Sequence, residues 1–324
     1  MRQLIRRIGF YIVALWASVT INFLIPRLAP GNPAQVLVAR FQGKIPAQAV
    51  FALEKQFGIT NDSLWVQYWQ YLGNLLHGNF GPSLTFYPTP VLQVIRQDLP
   101  WTLILVGVSV VLSFALGTFL GIFVAWRRGS IFDSVLPPLT TIFYAVPYFW
   151  MALLLLYILG FTLNLFPLSG GYDTTLSPGL SADFLVSVLG HAVLPALTIV
   201  LGSLSGWLLG MRNTMITTLT EDYVLMAQAK GLPERRVMFS YAARNAILPN
   251  VTGFALALGF VVSGSLVTEM VFSYPGIGFA LLQAVQNSDY PLMQGIFLVI
   301  ALTVLAANFL ADLLNAALDP RARA

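Results

Sequence analysis

Charge is the scarcest commodity in this sequence. Aspartate, glutamate, lysine and arginine make up 9% of 324 residues, against 57% for hydrophobic side chains. A soluble chain carries about 25% charged residues, so this one is read as an integral membrane protein. There is no cysteine, which removes disulfides, thiol nucleophiles and cysteine metal sites. The only histidines are His77 and His191, and no H-E-x-x-H occurs. His191 reads as a satisfied interfacial histidine, because a metal set needs partners that its span lacks. There is no G-x-x-x-x-G-K-[ST] phosphate loop; the nearest fragment, Gly43-Lys44, is followed by Ile45. Serines are many, but no Ser/His/Asp set can be assembled. With no nucleophile, metal set or paired carboxylates, a membrane enzyme is the least favoured class.

What the sequence does have is long runs without charge. They lie between Arg7 and Arg27, Asp98 and Arg127, Asp133 and Asp173, Asp183 and Arg212, Arg244 and Glu269, and Asp289 and Asp312. Each is near or above the ~20 residues that cross hydrocarbon as a helix. Six membrane helices are expected. The third run is too long for one helix, so the chain should leave the membrane near Asn164. Pro137, Pro138, Pro147 and Pro195 interrupt apolar helices, which is tolerated where protein or water satisfies the freed carbonyls. Gly117 and Gly121 form one GxxxG, and Gly202, Gly206 and Gly210 form two in series. These serve close helix approach, either within the chain or against a second membrane subunit.

Basic residues set the orientation. With the N-terminus inside, Arg2, Arg6, Arg7, Arg127, Arg128, Arg212, Lys230, Arg235, Arg236, Arg244, Arg321 and Arg323 are all cytoplasmic. The short outer loops, about 161–190 and 273–290, then contain no Lys or Arg. Arg27, Arg40, Lys44, Lys55 and Arg96 fall in or beside a long outer segment, and long segments cross largely regardless of charge. The basic start and apolar run also suit a signal peptide, but no convincing A-x-A cleavage site follows, and a retained first helix is the better reading. Three regions result: 1–29, tail and first helix; 30–99, outer segment; and 100–324, the remaining five helices. In the outer segment, PAQAVFALEKQFGI has helical spacing and DSLWVQYWQYLGNLLHGNFG is amphipathic and rich in Trp and Tyr. It reads equally as an interfacial helix or as a docking or gating surface.

Glu269 and Asp312 flank the last two spans near the interfaces, where a carboxylate reaches water. A structural role suits them better than the mid-membrane relay of an ion-driven carrier. Asn61-Asp-Ser63 and Asn250-Val-Thr252 match the glycosylation pattern at chance frequency.

The cytoplasmic loop 213–249 contains the most informative stretch, Thr218 to Pro249. It holds three acids (Glu221, Asp222, Glu234) and four bases (Lys230, Arg235, Arg236, Arg244). Thr218 and Glu221 have capping-box spacing. Glu221 and Asp222 suit the positive end of a helix dipole, and Lys230 suits the negative end. Gly231 can take the left-handed stop, and Pro233 can start the next helix. At about 100° per residue, Tyr223, Met226, Ala227 and Lys230 share a face: an aromatic anchor, a flexible filler, a small contact and a charge. Such a helix could fill a groove on a partner in the aqueous phase.

These residues carry a resemblance. EDYVLMAQAKGL resembles the E-D-Y-V-x-x-A-x-A-K-G-L of ATP-binding-cassette importer permeases in the dipeptide/oligopeptide/nickel family, at Glu221, Asp222, Tyr223, Val224, Ala227, Ala229, Lys230, Gly231 and Leu232. RRV at Arg235–Val237 and RNAILP at Arg244–Pro249 continue it. APGNPA, WVQYW, HGNFG, RRGSIFD, VPYFW, HAVLPAL, VFSYPGIG, SDYPLMQG and LDPRAR extend it along the chain. Asn32 stands where that family usually has Asp, and Tyr241 where it usually has His.

The resemblance implies an all-α type I importer permease fold in the cell membrane, with both termini cytoplasmic and a coupling helix at residues 221–232 between helices 4 and 5. It implies a second permease subunit as heterodimer partner, two cytoplasmic ATPases and an extracytoplasmic solute-binding protein. ATP and Mg would be bound by the ATPases and no cofactor by this chain; lipid surrounds it, and no nucleic acid is involved. The solute expected is a small oligopeptide, with short oligosaccharides, glutathione or nickel complexes as alternatives. A secondary carrier is less favoured. Gly231→Pro or Ala227→Arg is expected to abolish transport while leaving insertion intact, and normal uptake by either variant would contradict the coupling role.

Overall fold

The computed structural model describes residues 2–28, 62–259, 261 and 266–318, with side chains described for all of these except 2–8, 26 and 311–318. The helical reading of PAQAVFALEKQFGI, the APGNPA motif, Asn61 and the Asp312 side chain lie outside these. Among the described residues the chain is helical, and its one β-type pairing is an isolated bridge between Pro82 and Pro90. Three described helices are long and apolar enough to cross a membrane by length and composition: Val91–Trp126, Ala182–Thr218 and Tyr290–Leu310. A bent pair makes a fourth if it is one span. Shorter apolar helices cover Gly9–Ile25, Leu248–Gly259 and Ile277–Gln286.

The chain divides into two compact units. The first holds residues 1–102 and 275–309. Its helices are α1 (Arg2–Leu28), α2 (Leu64–Leu76), the start of α3 (Val91–Trp126), and, from its second segment, Ile277–Gln286 and most of Tyr290–Leu318. Helix α2 lies on α1. Phe23 packs its ring against Tyr68 and Tyr71 at 5.1 and 5.5 Å. The Tyr68 and Thr20 hydroxyls are 2.8 Å apart, and Arg27 Nε donates to Gln67 Oε1 at 3.0 Å. Burial pushes the Tyr71 hydroxyl above its ordinary pKa. The opposite face of α2 leaves Trp65 and Trp69 exposed, which fits both readings of this segment.

Polar clasps join distant parts of this unit. Asn22 Nδ2 donates to the Gln294 carbonyl and Gln294 Nε2 to the Asn22 carbonyl, both at 2.8 Å. Buried Asp289 accepts from Ser83 Oγ at 2.5 Å, from the Thr85 amide at 2.8 Å and from the Leu292 amide at 3.1 Å. Its carboxylate thus caps the helix beginning at Tyr290 and holds the turn before α3 against it.

The second unit holds residues 103–274 and 310–324. After α3 come α4 (Ile131–Ala145), α5 (Tyr148–Leu155) with a π-helical continuation Leu156–Thr162, and α6 (Ala182–Thr218). Between α4 and α5 the chain bends by 100°. The cause is Pro147, which disfavours helical backbone at the residue before it; Val146 sits at φ −76, ψ 126. The helix then ends at Thr162, and Asn164 has a positive φ of 50°, so this segment stops where the sequence suggested. Pro195 is contained within α6 without ending it. The fifth apolar run is described in two pieces, Leu248–Gly259 and Leu266–Val271.

Small residues seat α3 on α6. A Cβ added at Gly117 would lie 2.5 Å from Trp207 Cβ and 3.0 Å from the Leu204 carbonyl. One at Gly121 would lie 2.6 Å from the Leu208 carbonyl and 2.8 Å from Met211 Cβ. Both are closer than carbon atoms tolerate, so only glycine permits this approach. This first GxxxG therefore packs the chain against itself. In the α6 series, Gly202 meets the Tyr148 ring and Gly210 meets Asn250, while Gly206 faces open space.

Glu269 differs from its sequence reading. Its carboxylate was expected to reach water, yet the residue is 0% exposed. The turn after it folds back over it: the Tyr274 amide donates to the Glu269 carbonyl at 2.9 Å, and Phe272 and Tyr274 are themselves buried.

The glycine contacts yield a direct test. Gly121→Val forces α3 off α6 and is expected to lower stability by about 1–3 kcal/mol, whereas Gly206→Ala leaves it unchanged. Thermal unfolding of the purified full chain in detergent distinguishes them, and equal midpoints for Gly121→Val and the parent would contradict the packing described.

Candidate functional site

The polar loop after α6 folds into a short helix, α7 (Asp222–Ala229), then a single turn, α8 (Glu234–Arg236). A π-helical stretch at Val237–Ala243 and the turn Arg244–Ala246 lead on to Leu248–Gly259.

The boundaries of α7 agree with the sequence at one end and differ at the other. The expected capping box does not form. Thr218 is the last residue of α6, and its Oγ1 donates back to the Thr214 carbonyl at 2.8 Å. Glu221 becomes the N-cap, without a side-chain capping bond. The reason is tertiary: Ile216 and Leu219 pack into the apolar cluster under the loop, which carries α6 beyond the capping position. The C-terminus behaves as expected. Gly231 has φ +71, its amide donates to the Gln228 carbonyl at 2.8 Å, and the Leu232 amide to the Ala227 carbonyl at 3.4 Å. This pair of bonds is a Schellman stop, which a β-carbon at Gly231 would strain. Pro233 then caps α8.

Beneath α7 lies a buried apolar cluster. It draws Ile122 and Ala125 from α3, Met211 and Met215 from α6, and Val224 and Ala227 from α7. Val237, Met238, Ala242, Ala243 and Ala246 close it from the segment that follows. A displaced α7 must therefore carry the ends of α3 and α6 with it or open this cluster. The Tyr223 hydroxyl adds a polar tie, accepting from Asn245 Nδ2 at 2.8 Å.

The outward surface of α7 is apolar at its centre. Tyr223, Leu225 and Met226 are 40%, 49% and 59% exposed. Glu221, Asp222, Lys230, Gly231, Glu234, Arg235, Arg236 and Arg244 are exposed around them, and Leu232 is half-buried. Ala227, placed by spacing with Tyr223, Met226 and Lys230, instead turns inward with Val224. Leu225 belongs to this surface and was not singled out from sequence. An eight-residue helix has too few turns for periodicity alone to separate its edges.

The remaining sequence candidates have structural roles. His191 Nδ1 bonds the Ser187 carbonyl at 2.8 Å, one helical turn back. Among the described residues no three His, Asp or Glu side chains are grouped to hold a metal. Asn250, part of the glycosylation-like pattern, is buried, and its amide donates to the Trp207 carbonyl at 3.0 Å. Asp133 and Arg212, which bound apolar runs in the sequence, form an ion pair at 2.7 Å.

Comparison with known proteins agrees with this architecture. The family model described as binding-protein-dependent transport system inner membrane component matches residues 117–324, which include α4 through α7 and the cluster beneath. The oligopeptide transport system permease protein AppB of Bacillus subtilis is 33% identical over 319 residues, covering 98% of both chains. The di/tripeptide transport system permease protein DppB of Pseudomonas aeruginosa is 34% identical over 336 residues, covering 98% of this chain and 97% of its own. The dipeptide transport system permease protein DppB of Escherichia coli K12 is 31% identical over 338 residues, covering 99% and 98%. With a family match over more than half its length and relatives of this identity along nearly all of it, the chain belongs to the binding-protein-dependent transport system inner membrane component family.

Proposed function

We propose that this chain is the permease subunit of an ATP-driven peptide importer and forms half of its translocation pathway. The observation that carries the reading is α7: an exposed Tyr223–Leu225–Met226 surface backed by a cluster that reaches the ends of α3 and α6. Exposed apolar surface rimmed by charge suits a protein partner. In this reading the partner is a cytoplasmic ATPase, present in two copies, which holds the ATP and Mg. Glu221, Asp222, Tyr223, Met226, Lys230, Gly231 and Leu232 form or shape the contact. Ala227 supports it from beneath.

The full assembly adds a second permease subunit and an extracytoplasmic solute-binding protein. The chain itself crosses the cell membrane six times with both termini cytoplasmic. Its first helix ends near residue 29, residues 30–99 lie outside, and residues 100–324 form the remaining core. The six charge-free runs and the position of the basic residues support this topology. The relatives, described as oligopeptide, di/tripeptide and dipeptide transport permeases, favour peptides over sugars, glutathione or nickel complexes as cargo.

Met226→Glu and Tyr223→Ala change the outward face and leave the buried cluster intact. Each is expected to reduce ATPase co-purification and ATP-dependent peptide uptake by roughly tenfold, as loss of an interface anchor of about 1.4 kcal/mol would. Membrane insertion should be unaffected. Ala227→Arg should also fail, but by placing a guanidinium in the apolar cluster, and so with a lowered thermal midpoint. Full uptake by Met226→Glu would overturn the assignment of this surface.

A further inference from the structure

The cluster explains how a force on α7 reaches α6, but not how it reaches the bent α4–α5 pair. The contacts along α4 and α6 supply that link. At the start of α4, Asp133 Oδ1 accepts from Arg212 through Nε and through a terminal guanidinium nitrogen, each at 2.7 Å. Its other oxygen, Oδ2, accepts from the Gly129 amide at 2.9 Å. Further along, the Thr141 and Ser205 hydroxyls are 3.4 Å apart. At the bend, the Tyr148 ring packs so closely on Gly202 that an added Cβ would lie 2.7 Å from it. The order 133 to 212, 141 to 205 and 148 to 202 means that α4 and the first residue of α5 run antiparallel along α6. They touch it at a charged, a hydroxyl and an aromatic contact.

The charged contact is next to the apolar cluster. Met211 and Met215, on either side of Arg212 in α6, are fully buried in the cluster that holds Val224 and Ala227. The Arg212 amide is also 3.1 Å from the position of a Cβ on Gly121. Arg212 is thus fixed by its backbone to the cluster side and by its side chain to α4. The pair is largely withdrawn from solvent, with side chains 23% and 10% exposed, so screening weakens it less than a surface pair. Two donors converging on one carboxylate oxygen, with the second oxygen held by an amide, define an orientation as well as a distance.

We infer that Asp133 and Arg212 are a positioning pair that passes the movement of α7 and α6 to the bent α4–α5 segment. The inference rests on the reading that an ATPase drives α7. The pair touches neither nucleotide nor solute; its role is to make α4 follow α6 as one body, so that the bend at Val146–Pro147 changes with it. A neutral residue on either side removes the orientation while leaving the apolar contacts of α6 in place.

The experiment uses membranes containing the full chain with its co-expressed partners, and reads labelled short peptides imported per ATP hydrolysed. Asp133→Asn and Arg212→Gln are expected to insert and to co-purify with the ATPase as the parent does. They should hydrolyse ATP but import about tenfold less peptide per ATP, the loss expected from a coupling energy of ordinary size. Arg212→Lys, which keeps the charge, should recover part of the ratio. A ratio in Arg212→Gln and Asp133→Asn within about twofold of the parent would overturn the inference. So would failure of both variants to insert or assemble, since the pair would then serve folding instead of transmission. If the parent itself shows no ATP-dependent uptake, the importer reading fails, which is a separate outcome.

Discussion

The packing of α7 onto the ends of α3 and α6 is the contact on which the proposed function depends. Val224 and Ala227 are buried against Met211, Met215, Ile122 and Ala125. In the aqueous phase such burial is favourable, at about 1.5–3 kcal/mol for a side chain of valine size. Two membrane helices with no such cap would be held together mainly by shape, because lipid offers no hydrophobic drive between them. The cluster gives them a shared apolar base. It also makes the loop a packed element with something to transmit, which mere proximity to a partner would not.

Glycine sets how tightly this base is built. Gly117 and Gly121 let α3 approach α6 closely enough for Trp207, Leu208 and Met211 to meet its backbone. That approach brings Ile122 and Ala125 into the cluster beside Met211. At the other side of α6, Gly202 admits the Tyr148 ring, and Asp133 reaches Arg212. One long helix thus carries α3, α7 and the bent α4–α5 pair on different parts of its surface. The close packing of such contacts favours discrete arrangements over gradual deformation.

Local chemistry was legible where it acts through a single residue. Gly231 supplied the left-handed stop and Pro147 the break, whereas Pro137, Pro138 and Pro195 were also expected to interrupt helices and lie within them. The helix end near Asn164 was legible from the length of the third apolar run, and Asn164 there takes a positive φ of 50°. The capping box failed because Ile216 and Leu219 find tertiary partners that extend α6 past Thr218, and packing outweighs a cap of about 1 kcal/mol. Buried Glu269, the Asp289 clasp and the Asp133–Arg212 pair were not legible. The clasp and the ion pair depend on partners distant in sequence, up to 206 positions away for Ser83 and Asp289, and the burial of Glu269 on a turn that folds back over it. In a sequence so poor in charge, these acids marked the ends of spans and concealed what they hold.

The assignment of α7 as the point of ATPase contact is tested most directly by a photoreactive residue at position 226 in the assembled transporter. The account predicts a cross-link to a cytoplasmic ATP-hydrolysing subunit, with a yield that changes when nucleotide is added. A cross-link confined to lipid or to other permease segments, unchanged by nucleotide, would contradict it.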